Sequence, residues 1–180
     1  LLRNKQIIQN GVETLPDDRW HLYTRANNIA KNFPKVYVPM TSEDTYAAIT
    51  FSPKHYCDNA NVNYIELPTN DETNLYAISA IINSTVYSVL ARSIANPQAE
   101  GYFKFNKQFL EPVPFPVQNF TNNAALKIQF AKAAKQIDEL QKKFKSSSPN
   151  QKRAISELLS TQWDLLDELC YQFYALSDEE

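Results

Sequence analysis

Glycine is almost absent: Gly11 and Gly101 are the only two among 180 residues. No glycine-rich phosphate loop and no S-adenosylmethionine glycine motif can be built from them, because such loops need several residues without a Cβ beside the ligand. Cysteine is equally scarce. Cys57 and Cys170 stand far apart and form no ligand-spaced pair, which argues against a disulfide framework and for a reducing compartment, the cytoplasm. Nothing resembles a signal peptide, and no run approaches the roughly 18 consecutive apolar residues of a membrane span. Large charge of one sign is missing too: 18 Lys/Arg against 20 Asp/Glu leave a net charge of −2. That excludes a generally basic nucleic-acid coat, so any polyanion has to be met by a local patch. Residue 1 is leucine and Met40 is the only methionine, so the chain reads as cut from a longer one.

What is present is enough apolar material for a core, 43% of the chain, and a change of period near Gln118. Before it come short β-favouring runs rich in Tyr, Val, Ile and Thr: "WHLYT" from Trp20, "KVYVP" from Lys35, "TYAAITF" from Thr45 and "VNYIEL" from Val62. Pro, Asn, Asp and Ser clusters between them supply turn chemistry. One helix interrupts this region, from about Glu72 to Ala95, with Asp71 as its N-cap and Leu75, Ile78, Ile82, Val86, Val89 and Ile94 near helical spacing. After Gln118 the period is 3.6. Ala124, Ala125, Ile128, Ala131, Ala134, Ile137, Leu140 and Phe144 form one stripe, "KSSSPN" stops it, and Ile155, Leu158, Leu159, Trp163, Leu166, Leu169, Cys170 and Phe173 form the next. The expected class is α+β: a small mixed or antiparallel sheet domain with a covering helix over residues 1–117, then an antiparallel pair of long helices over 118–180.

Catalytic chemistry is hard to find. The "PDD" of Pro16 to Asp18 opens like a nuclease metal motif, but no Glu-x-Lys follows, and a Pro-Asp turn accounts for it. His55 and Cys57 lack two further ligands at tetrahedral spacing. "NPQ" at Asn96 to Gln98 begins like the Asn-Pro-Pro-aromatic motif of amino-methyltransferases, yet lacks its second proline and its stacking ring, and reads as the stop of the helix before it. The expectation is a chain with no catalytic residue, no metal and no cofactor of its own.

The ordered set "WHLYTRANN", "FPKVYVP", "LYAISAIINSTVYSVLARSIAN", "GYFKFNKQFLEPVPFP" and "LDELCYQFYALSDEE" covers Trp20 to Glu180. It resembles the target-recognition domain that follows the methyltransferase domain in type IIG restriction-modification enzymes and TaqI-like adenine-N6 DNA methyltransferases, and it is similar to type I restriction specificity subunits. The resemblance implies double-stranded DNA as partner. It also implies a methyltransferase or endonuclease part in the same polypeptide or complex, with S-adenosylmethionine as the cofactor of that parent. On this reading "YFKF" and its turn face DNA, Lys104 and Lys107 contact phosphates, Asn106 caps the short helix "KQFLE", and the prolines lock an extended exit into the hairpin. Arg25, Asn27, Asn28 and Lys31, in the polar loop after the first strand, are further DNA-contact candidates, and the polar residues of 41–45 and 52–63 are candidate base readers. The same alternation of Tyr102, Lys104 and Asn106 against Phe103 and Phe105 also describes an edge strand with one wet face. A rival reading makes the hairpin the working part, a protein-interaction or homodimerisation module.

Overall fold

The computed structural model describes residues 33–51, 61–67 and 71–177. The architecture is α+β: two small antiparallel sheets, a bent helix pair, and a long helical hairpin. The strands are β1 (Lys35–Pro39), β2 (Thr41–Ser42), β3 (Ala48–Thr50), β4 (Val62–Ile65), β5 (Asn96–Pro97) and β6 (Phe103–Lys104). The helices are α1 (Glu72–Ile82), α2 (Thr85–Ile94), the one-turn α3 (Lys107–Leu110), α4 (Val117–Asn122), α5 (Ala124–Ser146) and α6 (Pro149–Tyr174). No strand is found after residue 104 among the described residues. "WHLYT" lies outside them.

The first sheet has the order β3-β1-β4, with Val36 opposite Ile49 on one side and Ile65 on the other. Val36 and Val38 alternate onto its inner face and are buried, as a period of two requires. Lys35, on the opposite face, is 1% exposed, its ammonium 4.6 Å from the Phe33 ring centre and 5.4 Å from that of Tyr64. At Met40 the chain passes from one sheet to the next. The Met40 N–H donates to the Asn61 carbonyl and its own carbonyl accepts from the Phe105 N–H, both at 2.8 Å. Residues 41–42 then pair with β6 in the second sheet, of order β2-β6-β5.

A single helix from Glu72 to Ala95 is the wrong description of the next segment. Asp71 does cap α1, accepting from the Asn74 N–H at 2.9 Å, but α1 ends at Ile82 and α2 leaves it at a 64° bend. The cause is two polar side chains. Asn83 bonds the backbone of Ala47 twice, accepting from its N–H and donating to its C=O, each at 2.9 Å. Ser84 donates to the Ile81 carbonyl at 2.7 Å and, as N-cap of α2, accepts from the Tyr87 N–H at 3.1 Å. Such side-chain bonds compete with continuation of the helix. Asn96 to Gln98 does more than stop a helix: Asn96 and Pro97 are β5, opposite Lys104 and Phe103. Proline is tolerated there because β5 is an edge strand. The tight return to β6 uses left-handed backbone at Glu100 (φ 61°) and Gly101 (φ 81°), and the latter is where glycine's freedom is needed.

The hairpin forms as its period predicts, but the stripes are partly out of phase. Leu126, Phe130, Ala131, Ala133 and Ile137 are the buried residues of α5, and Leu166, Leu169, Cys170 and Phe173 those of α6. Ile128 and Leu158, expected inside, are 59% and 54% exposed, and Ala124 and Ala125 are exposed too. The inward face of α5 is set by its packing on α1, where Leu75, Ile78 and Ile81 are buried. One apolar cluster runs from Val36 through α1 to Phe173, so sheet, bent helices and hairpin share a core. At the hairpin base, Phe115 and Phe130 meet Phe173 edge-on at 5.3 and 5.8 Å. The proline exit is held there by the Tyr174 hydroxyl, which donates to the Pro114 carbonyl at 3.1 Å. Among the described residues no single helix is long and apolar enough to cross a membrane. The bent pair α1–α2 is apolar, and α1 lends seven buried residues to the core.

Candidate nucleic-acid interface

The segment 101–116 is built outward from β6. Phe105 is 0% exposed, with Phe103 half-buried beside it at 6.2 Å between ring centres. The Phe105 backbone is fully engaged, its N–H on Met40 and its carbonyl accepting from Asn63 Nδ2 at 2.8 Å. With the rings inward, alternation lifts Tyr102 and Lys104 to the surface. β6 is not an edge, however. It is the central strand of its sheet, flanked by Thr41 and Asn96 at Lys104, so this lysine stands on a paired, rigid strand. No ion pair engages Lys104 among the described residues.

Asn106 holds the N-cap position of α3 without a side-chain cap. Its backbone carbonyl accepts from the Phe109 N–H at 2.9 Å, while its side chain makes no capping bond and its buried Oδ1 has no hydrogen-bond partner. A four-residue helix offers the capping geometry little to hold. Lys107 is exposed and reaches Glu111 one turn on, at 3.3 Å. Lys104, Asn106 and Lys107 are thus brought together. Arg25, Asn27, Asn28 and Lys31 lie outside the described residues, as do 52–60.

Within segment 41–45, Thr41 and Glu43 are exposed, while the other polar residues are engaged in the fold. Ser42 and Thr45 are buried, the Thr45 hydroxyl donating to the Ile82 carbonyl at 2.7 Å. The Thr45 N–H donates to Ser88 Oγ at 3.3 Å, and Ser88 in turn donates to Asp44 at 3.0 Å. These polar atoms are spent on holding the loop against the helix break. Asn61 precedes β4 and Asn63 lies within it, and the Asn63 amide is taken by Phe105.

Arg92 is the residue that sequence reasoning missed. Its guanidinium lies 4.9 Å from the Phe103 ring centre and 3.1 Å from the Asp44 carboxylate, so it borders β6 from α2. Its position near a helix C-terminus reads locally as a dipole partner, and only tertiary folding places it against the sheet.

Arg92 also rims a cleft of about 1030 Å³ between loop 44–51, the helix break and the hairpin. Tyr46, Phe51 and Val89 line it and are exposed, with Tyr76, Asn83 and Trp163 deeper. Cys170 and Tyr87 are not poised as nucleophiles. Burial pushes the Cys170 thiol up to about 12 against a weaker lowering bond from Ser84, and burial raises the Tyr87 hydroxyl to about 12 as well, so both stay protonated at neutral pH. Among the described residues no group of three His, Cys, Asp or Glu is arranged to hold a metal ion. Compared with known proteins, the chain matches no family model and no curated protein.

Proposed function

We propose that this chain reads DNA as the target-recognition domain of an adenine-N6 restriction-modification methyltransferase. The methyltransferase or endonuclease part and S-adenosylmethionine belong to the parent enzyme. The observation that carries the reading is β6 itself: a central strand that commits Phe103 and Phe105 to the core and presents Lys104, with Lys107 three residues on, to solvent. That is a stiff mount for phosphate contacts, and it sits within one of the segments that carry the resemblance to such domains. With a net charge of −2, the isolated chain binds duplex weakly and only at low salt. The test is retention on mixed-sequence duplex DNA or heparin across a salt series. Retention that falls steeply with salt is expected, and none at the lowest salt refutes the reading. The chain alone, given DNA and S-adenosylmethionine, should transfer no methyl group.

A second reading, dimerisation through the hairpin, draws on Ile128, Leu158 and Leu165, which the hairpin leaves exposed. A sedimentation experiment showing a dimer with no affinity for duplex at low salt would favour it.

A further inference from the structure

The tip of the hairpin carries an uneven share of charge. Residues 142–153, "KKFKSSSPNQKR", hold Lys142, Lys143, Lys145, Lys152 and Arg153 and none of the chain's 20 carboxylates. The acidic residues of α6 past Glu157, namely Asp164, Asp167 and Glu168, stand towards the other end. Between Ile137 on α5 and Leu166 on α6 no residue is buried, so the tip projects beyond the shared core.

Part of this charge has a folding explanation. Lys143 and Lys145 lie in the last turn of α5, where cations suit the negative end of the helix. Lys142 pairs with Asp138 at 2.6 Å and Arg153 with Glu157 at 3.7 Å, both exposed pairs of the kind that hold little. Lys152 and Arg153 get no support from the helix dipole. They enter α6 in its first turns, where there is no acidic residue, so they oppose the positive end of that helix. Lys152 is only stacked 5.3 Å from the Phe144 ring centre, and neither Lys143 nor Lys145 has an ion-pair partner among the described residues. Charge kept where it works against the fold points to a use outside the fold.

We propose that this hairpin tip is a second phosphate-contact surface for double-stranded DNA, gripping the backbone without reading sequence. The proposal rests on the DNA-recognition reading given above and adds a place to it. Two helices side by side are roughly 20 Å across, wider than the major groove of about 12 Å, so the tip rides on the backbone rather than entering the groove. Its donors are point charges on flexible stems, which suit phosphate and not base edges. At 23 residues, α5 is about 34 Å long, one turn of B-DNA. A duplex passing the hairpin base, where segment 101–116 ends, therefore meets the tip about one turn further on.

The test is duplex binding by the full chain, cognate or mixed, over a salt series, with the fourfold variant Lys143→Gln, Lys145→Gln, Lys152→Gln, Arg153→Gln beside the unaltered protein. The log-log salt slope should fall by about two to four units and affinity near 0.1 M salt by on the order of a hundredfold, equally for all sequences. The melting temperature should hold within a few degrees, since the cations lost at the α5 C-terminus and those removed from the α6 N-terminus have opposite effects of about 0.3–1 kcal/mol each. Should the fourfold variant melt lower, Lys152→Gln with Arg153→Gln alone decides, with a slope loss of about one to two expected. An unchanged slope in a folded variant, while the unaltered protein binds DNA, overturns the tip and leaves the recognition reading standing. Binding to polyglutamate without binding to duplex overturns both, as does an unaltered protein that never binds duplex.

Discussion

Changing Lys104 and Lys107 together to alanine separates function from folding on β6. Both ammonium groups are exposed, and the one bond lost is the Lys107–Glu111 pair at 3.3 Å, whose side chains are 80% and 65% exposed. Exposed pairs at this spacing are worth about 0.3–0.5 kcal/mol, and a surface lysine away from a cap about 0.5 kcal/mol or less. For a chain of this size 1 kcal/mol moves the melting temperature by roughly 2–4 °C, so calorimetry should find a shift of no more than a few degrees. Binding is a different matter. Each phosphate contact contributes about 0.9 to the log-log salt slope, so removing both should lower it by one to two units on cognate and non-cognate duplex alike, read by fluorescence anisotropy. Phe105→Ala is the opposite perturbation. A fully buried ring at 0% exposure costs about 3–5 kcal/mol on truncation, and its backbone bonds tie Met40 and Asn63 to β6, so softening should reach both sheets. A folded double-lysine variant with an unchanged salt slope would falsify the assignment of phosphate contacts to β6, and the duplex would have to lie elsewhere.

Three other outcomes follow from the same bonds. Asn83→Ala strands the Ala47 N–H in a partly buried site and leaves its C=O only the long bond from Ser79, and should cost about 1–3 kcal/mol in chemical denaturation; a loss under about 0.5 kcal/mol would show that the helix break does not depend on it. Ser84→Ala removes the α2 cap and its bond to Ile81, for about 1–2 kcal/mol. Alkaline pH should destabilise the fold. With the Cys170 thiol and the Tyr87 hydroxyl each pushed up to about 12 by burial, the unfolded chain releases these protons from about pH 9–10 upward while the folded chain keeps them. Stability therefore falls with rising pH up to about 12, by roughly 1.4 kcal/mol per pH unit for each group in its window, and Cys170→Ala should flatten part of that fall.

How much of this was legible in the sequence depends on the range of the deciding interaction. The hairpin could be read because more than 20 residues of period 3.6 on either side of "KSSSPN" outweigh any local conflict. Its phase could not. Stripes through Ile128 and through Leu126 and Phe130 overlap on α5, and the choice between them lies with the packing of α1, a helix more than forty residues away. The helix break shows the same limit. "IINSTV" displays the Asn-Ser pair in plain view, yet the apolar spacing of Ile82, Val86 and Val89 continues across it. What ends α1 is a pair of bonds from Asn83 to Ala47, 36 residues back, and no window along the chain contains both.

The site divides along the same line. That Lys104 faces outward and Phe105 inward follows from a period of two, which is local. That β6 is a centre strand rather than an edge is not local, since its partners are "TS" at 41–42 and "NP" at 96–97, two-residue strands with no alternation to announce them and a proline in one. The consequence reaches function. A lysine on an edge strand can follow a frayed backbone, but one held between Thr41 and Asn96 keeps its position when a ligand arrives. Arg92, lodged between Asp44 and the Phe103 ring, braces the same strand from α2. A polyanion on Lys104 would draw on that guanidinium too, so Arg92→Ala should weaken duplex binding and loosen loop 44–47 together. Arg92→Lys keeps the charge but not the flat face over Phe103, and it should restore the binding and only part of the loop.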